Sequence, residues 1–156
     1  DKPSFSSPWR ERHWALAPMQ AFFEPCWEGA TGQGGRALRW RIARADAQSF
    51  AVAGLWERWT HPNGGEVTTS FTLLTVNADG HPLMGRMHRP DEEKRMPVIV
   101  PADCYGDWLH ADLGQAAALM VQTPAGELAG NPDPKSAAVA RSMGEMPQYP
   151  QNLSLF

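Results

Sequence analysis

Two apolar runs, Phe50–Trp59 and Val67–Asn77, flank His61-Pro62-Asn63-Gly64-Gly65. An Asn-Gly pair between such runs is a strong short-range hairpin signal, because a tight two-residue turn needs positive φ at its centre. That feature commits the middle of the chain to antiparallel β structure. Arg36–Arg44 adds a half-buried strand, with Leu38, Trp40 and Ile42 pointing one way and Arg39 and Arg41 the other. Trp14–Glu24 reads as one buried strand whose Pro18 favours an edge or a bulge. Met96–Val100 reads as another, short strand. Asp103 is placed to cap a helix over Cys104–Ala111, and Gly114–Gln122 and Lys135–Met143 suit short helices. Asp1–His13, Gly29–Gly35, Ala125–Pro134 and the tail from Pro147 read as connecting, turn or irregular segments. The expected fold is α+β: a mainly antiparallel sheet closing partly into a barrel, with a few peripheral helices. No internal repeat divides it, so residues 1–156 are expected to form a single domain.

Composition narrows the class further. Hydrophobic residues make up 42% and charged residues 20%, as in an ordinary globular domain. No apolar run approaches the roughly 18 residues of a membrane-spanning helix. Cys26 and Cys104 are the only cysteines, too few for a disulfide framework or a cysteine-rich zinc site, so a reducing, cytoplasmic setting is expected. The five histidines form no HxH or HExxH pair, and Gly29–Gly35 lacks the phosphate-loop pattern, so neither metal nor nucleotide cofactor is expected. The net charge of −3 hides a division: residues 1–44 carry +3 and the remainder −6. Eleven of the fourteen cations are Arg, and there are seven Trp, which permits nucleic-acid binding at one face.

Among single residues, Glu24 stands out because it ends the apolar run Ala21-Phe22-Phe23. A carboxylate there must be paired, hydrogen-bonded or shifted in pKa, which suits either a structural Arg partner or a general acid–base role. His61 and His81 read as solvated turn residues, and His88 by itself as a surface histidine. Cys26 and Cys104 read as inert thiols, since no Cys-His spacing supports a nucleophile.

The ordered segments Ala21-Phe22-Phe23-Glu24, Ala53-Gly54-Leu55-Trp56-Glu57-Arg58-Trp59, Phe71-Thr72-Leu73-Leu74-Thr75-Val76-Asn77, Met87-His88 and Arg95-Met96-Pro97-Val98-Ile99-Val100 resemble the SRAP family over about residues 3–110. These are the SOS-response-associated peptidases, also called abasic-site processing proteins. The resemblance implies binding of single-stranded DNA and covalent capture of abasic sites as a thiazolidine on an N-terminal Cys. It implies Glu24 and His88 as catalytic residues and Thr75, Asn77 and Arg95 as DNA contacts; beside it, the residues themselves offer Arg39 and Arg41, with Arg95 and the Trp side chains, for phosphate contacts and base stacking. No metal or cofactor is implied; a cytoplasmic, nucleoid-associated monomer is expected. Three features depart from the family pattern. The N-terminal Cys and an upstream Asn are absent, suggesting the C-terminal two thirds of a longer polypeptide. The usual A-D-G-F-Y-E-W reads Pro18-Met19-Gln20-Ala21-Phe22-Phe23-Glu24-Pro25, and six residues, Arg89–Lys94, separate His88 from Arg95 where one is usual. Two alternatives stay open: a non-catalytic single-strand binding module, and a peptidase limited to self-processing.

Overall fold

The computed structural model describes residues 3–27 and 37–133. The chain runs α1 (Pro3–Arg10), β1 (Trp14–Met19), β2 (Phe22–Cys26), β3 (Leu38–Arg44), β4 (Phe50–Thr60), β5 (Val67–Leu73), β6 (Thr75–Asn77), β7 (Arg95–Pro97), β8 (Ile99–Val100), α2 (Tyr105–His110), α3 (Leu113–Leu119) and β9 (Leu128–Pro132). Every strand pair is antiparallel. One sheet joins β1, β4 and β5, with β8 also on β4; a second has the order β2-β3-β9; β6 and β7 form a two-stranded ribbon. The hairpin around Asn63-Gly64 pairs β4 with β5 from Thr60↔Val67 down to Gly54↔Leu73. The mainly antiparallel α+β character is as expected. Among the described residues the three sheets do not close into a barrel.

Strand β4 explains why the described residues form two cores rather than one. Side chains alternate across a strand, and Phe50 and Val52 enter one cluster while Ala53 and Leu55 enter the other. Buried on both faces, this stretch is a continuous apolar run. The first cluster gathers Ile42, Met84, Met87, Met96 and Leu128; the second gathers Trp14, Val98, Val100, Trp108 and Ala116. Gly54 sits where β1, β4 and β5 crowd together, and a Cβ there would lie 2.7 Å from the Thr72 carbonyl oxygen.

Several boundaries differ from the sequence reading, each for a tertiary reason. Asp1–His13 contains a helix, α1, despite Pro8, because Pro8 is buried and Trp9 packs edge-on against Trp14 at 4.9 Å. Trp14–Glu24 is two strands in different sheets, divided at Gln20-Ala21. Pro18 does lie on an edge, since β1 pairs only with β4. Val67–Asn77 breaks at Leu74, whose N–H donates to the Ala53 carbonyl at 2.9 Å, and Met96–Val100 breaks at Val98. Asp103 lies inside a 3₁₀ turn and does not cap α2, whereas Asp112 and Gln115 form a full capping box on α3. Leu128–Pro132, expected as loop, is strand β9, held by pairing with β3. The expected Gly29–Gly35 turn and Lys135–Met143 helix lie outside the described residues.

Candidate active site

Glu24 lies on the inner face of β2, directly opposite Trp40 of β3. His88 reaches it from sixty-four residues downstream through backbone contacts at the end of β2. Cys26 forms a β-bridge with Met87, the His88 N–H donates to the Pro25 carbonyl at 3.0 Å, and the Trp27 N–H to Arg86 at 3.4 Å. His88 adopts φ of +59°, in the left-handed region. Histidine enters that region more readily than most residues, at a backbone cost of about 1–2 kcal/mol. Its Nε2 lies 3.8 Å from Glu24 Oε2 and 3.0 Å from the Arg95 carbonyl oxygen.

The two side chains are equally sheltered, each 23% exposed. Burial raises the Glu24 carboxyl pKa above its ordinary value, and the neighbouring His88 charge offsets only part of that. Because a carbonyl only accepts, Nε2 carries a proton when it bonds Arg95, leaving Nδ1 as the acceptor of a neutral ring. A carboxyl group that holds its proton unusually well therefore faces an imidazole across 3.8 Å, beyond direct hydrogen-bond distance. Such a pair can deliver and remove protons at one reacting centre.

The β6–β7 ribbon supplies the polar residues beside this pair. Its register places Thr75 opposite Pro97 and Asn77 opposite Arg95. The Arg95 Nε donates to Thr75 Oγ1 at 2.8 Å and Nη2 to the Thr75 carbonyl at 3.4 Å, while Nη1 pairs with Glu93 Oε2 at 3.0 Å. The Asn77 amide donates to Asp79 at 2.8 Å and to Glu93 Oε1 at 3.3 Å. Thr75, Asn77 and Arg95 are thus brought together, with the Arg95 backbone touching His88. Arg39 and Arg41 are not. The β2–β3 register sets them with Phe23 and Pro25, on the face opposite Glu24. Arg39 lies 3.8 Å above the Phe23 ring and 3.5 Å from Asp133.

The sequence reading missed His81. It is buried, not solvated: Nδ1 accepts the N–H groups of Leu83 at 3.2 Å and Met84 at 3.0 Å, and Nε2 donates to the Thr123 carbonyl at 3.0 Å. His81 thereby fixes the start of the 3₁₀ turn Met84–Arg86 that leads into His88. A histidine just before a short apolar turn was the available signal. Trp40, across from Glu24, has a buried Nε1 with no hydrogen-bond partner among the described residues, and Arg86 stacks 4.7 Å over its ring. Cys26 is buried in the core, and the Cys104 thiol is pushed up by burial and by Asp103, so neither suits nucleophilic attack. Among the described residues no cluster of His, Cys, Asp or Glu could hold a metal. A cleft of about 530 Å³ beside Phe50, Ile99 and Thr123 contains none of the expected site residues. No described helix is long and apolar enough to cross a membrane.

Comparison with known proteins bears on this arrangement. The family model for SOS response associated peptidase (SRAP) matches residues 1–139. The abasic site processing protein YoqW of Bacillus subtilis is 28% identical over 110 residues, covering 70% of this chain and 43% of that protein. The YoqW protein of Bacillus phage SPbeta matches equally, at 28% over 110 residues. A crystal structure of a protein from Bordetella bronchiseptica superposes with a TM-score of 0.75 at 36% identity, over 83% of this chain and 58% of that one. A second, from Bacteroides thetaiotaomicron, shares the fold alone, with a TM-score of 0.67 at 21% identity, over 83% of this chain and 53% of that one. The chain thus spans under half the length of its curated relatives. With the family model matched over most of its residues, this chain belongs to the SRAP family.

Proposed function

We propose that Glu24 and His88 form the acid–base centre of an abasic-site processing protein acting on single-stranded DNA. The observation that carries this reading is the 3.8 Å approach of a sheltered carboxyl with raised pKa to an imidazole on a strained backbone. The YoqW proteins, named for abasic site processing, support the substrate class. An abasic deoxyribose is a cyclic hemiacetal in equilibrium with an open aldehyde. His88, as imidazolium, protonates the ring oxygen while the Glu24 carboxylate takes the C1′ hydroxyl proton, so the C1′–O4′ bond breaks and C1′=O forms. An amine–thiol then adds through nitrogen. Protonated Glu24 gives its proton to the departing hydroxyl, water leaves as an iminium forms, and the thiol closes on the iminium carbon as its proton returns to the Glu24 carboxylate. The family resemblance places that amine–thiol on an N-terminal cysteine. Thr75, Asn77 and Arg95 hold the strand beside the centre.

Free cysteine can serve as the amine–thiol in a test on this chain. A single-stranded oligonucleotide with one abasic site is incubated with cysteine and protein, and thiazolidine formation is followed by mass spectrometry. The wild-type chain should accelerate the reaction, and Glu24→Gln should forfeit about 10²- to 10⁴-fold of rate while binding the strand equally well. His88→Ala should slow capture of the closed sugar more than that of an already open aldehyde. No acceleration by the wild type, or parallel loss of melting temperature, binding and rate in both variants, sinks the catalytic reading. Unaltered strand binding without acceleration would favour a binding module.

A further inference from the structure

Resting on that reading, we propose that Glu93 stands in for a nucleic-acid phosphate at Arg95 and Asn77, and that an incoming strand must displace it. The argument begins with what the Arg95 guanidinium has left to offer. Thr75 holds Nε and Nη2, fixing the plane, and the remaining Nη1 donates outward to Glu93 Oε2 at 3.0 Å. The other carboxylate oxygen, Oε1, accepts from the Asn77 amide at 3.3 Å. One carboxylate thus spans two donors on neighbouring strands, as two oxygens of a phosphate would.

The loop delivering that carboxylate is anchored at its end. The Lys94 carbonyl accepts from the Ala78 N–H at 2.7 Å, and the Lys94 N–H donates to Asp79 Oδ1 at 3.3 Å. The Lys94 ammonium bonds the carbonyls of His88 and Arg89. Glu93 is therefore presented on a backbone tied to the same segment that carries His88. The pair itself is open to solvent, with Arg95 48% and Glu93 53% exposed. An exposed ion pair contributes little, so a phosphate with further contacts can replace it. The consequence is selectivity: a strand gripped at this position alone gains little, and one that also engages the Glu24–His88 pair gains more.

The test is fluorescence-anisotropy binding of a single-stranded oligonucleotide to the full chain across a salt series. Glu93→Gln should tighten binding by about 2- to 5-fold, the range of an exposed charge pair. It should also steepen the dependence of log affinity on log salt by about one, as a newly available phosphate contact does. Glu92→Gln removes the same charge one residue earlier and should change affinity by far less. In the Arg95→Ala background Glu93→Gln should give no gain. Equal effects of Glu92→Gln and Glu93→Gln, or a Glu93→Gln gain that survives without Arg95, would reduce Glu93 to general repulsion and overturn the proposal. Equal binding by wild type and Glu93→Gln overturns it while leaving the DNA-processing reading intact. Absence of binding by both at low salt would overturn that reading and this proposal together.

Discussion

The two cores on either side of β4 are built from different materials. One is a tryptophan core: Trp14 and Trp108 lie 5.1 Å apart, and each indole reaches a distant backbone, Trp14 Nε1 to the Ala111 carbonyl and Trp108 Nε1 to the Ala15 carbonyl, both at 2.9 Å. These bonds tie α2 to β1 and fix the ring planes. The other core is rich in methionine, with Met84, Met87 and Met96 fully buried, and it underlies the segment that carries His88. Methionine fills irregular space with many low-energy rotamers and specifies geometry weakly. Rigidity and adaptability are thus segregated. The tryptophan core holds the sheet, and the methionine core leaves the site's precision to backbone hydrogen bonds and to His81.

The largest effect should come from attacking the rigid side. Trp108→Ala removes a fully buried indole and its hydrogen bond to the Ala15 carbonyl, and should cost about 3–5 kcal/mol in urea unfolding, whereas Met87→Leu should cost under about 1.5 kcal/mol. Comparable losses at the two positions would erase the contrast. An intermediate effect is expected at His81. His81→Leu strands two backbone N–H groups, at about 1–3 kcal/mol each, while His81→Asn offers a carbonyl oxygen to the same donors and should recover most of that loss. Equal melting temperatures for the two variants would show that His81 does not act through its cap.

The smallest effect is at Glu24 and depends on pH. Its raised pKa means the folded chain binds that proton more tightly than the unfolded chain does. The stability this supplies is full below the ordinary carboxylate range, about pH 4, and is lost as pH rises through the elevated value. At pH 7 the ionised group therefore works against the fold. Glu24→Gln should melt higher there, by about 1–3 °C, and the difference should vanish near about pH 4. A variant that melts lower at pH 7 would mean that the contact with His88 outweighs burial.

Much of the fold, and one member of the candidate site, were legible in the sequence, for identifiable reasons. The β4–β5 hairpin was readable because its turn chemistry is local, and Leu38, Trp40 and Ile42 declared the inner face of β3 by alternation. Glu24 was conspicuous because a carboxylate closed an apolar run. His88 was not readable from its neighbours; the family motif singled it out, and the structure supplies the contacts that bring it to Glu24. Strand β9 was hidden because Gly130 and Pro132 have poor strand propensity, and only pairing with Arg44–Trp40 makes them extended. His81 was hidden because its partners are backbone atoms, one of them forty-two residues away. The placement of Arg39 and Arg41 behind the site follows from the β2–β3 register, which alternation within β3 cannot give.

The left-handed backbone at His88 has a consequence for anyone improving this chain. Glycine at position 88 would relax the main chain, and screening for thermal tolerance alone would reward it. The same change would delete the ring facing Glu24. On the acid–base role proposed for His88, robustness and chemistry pull this position in opposite directions, so an engineering campaign should hold residue 88 constant and seek its gains around Trp108.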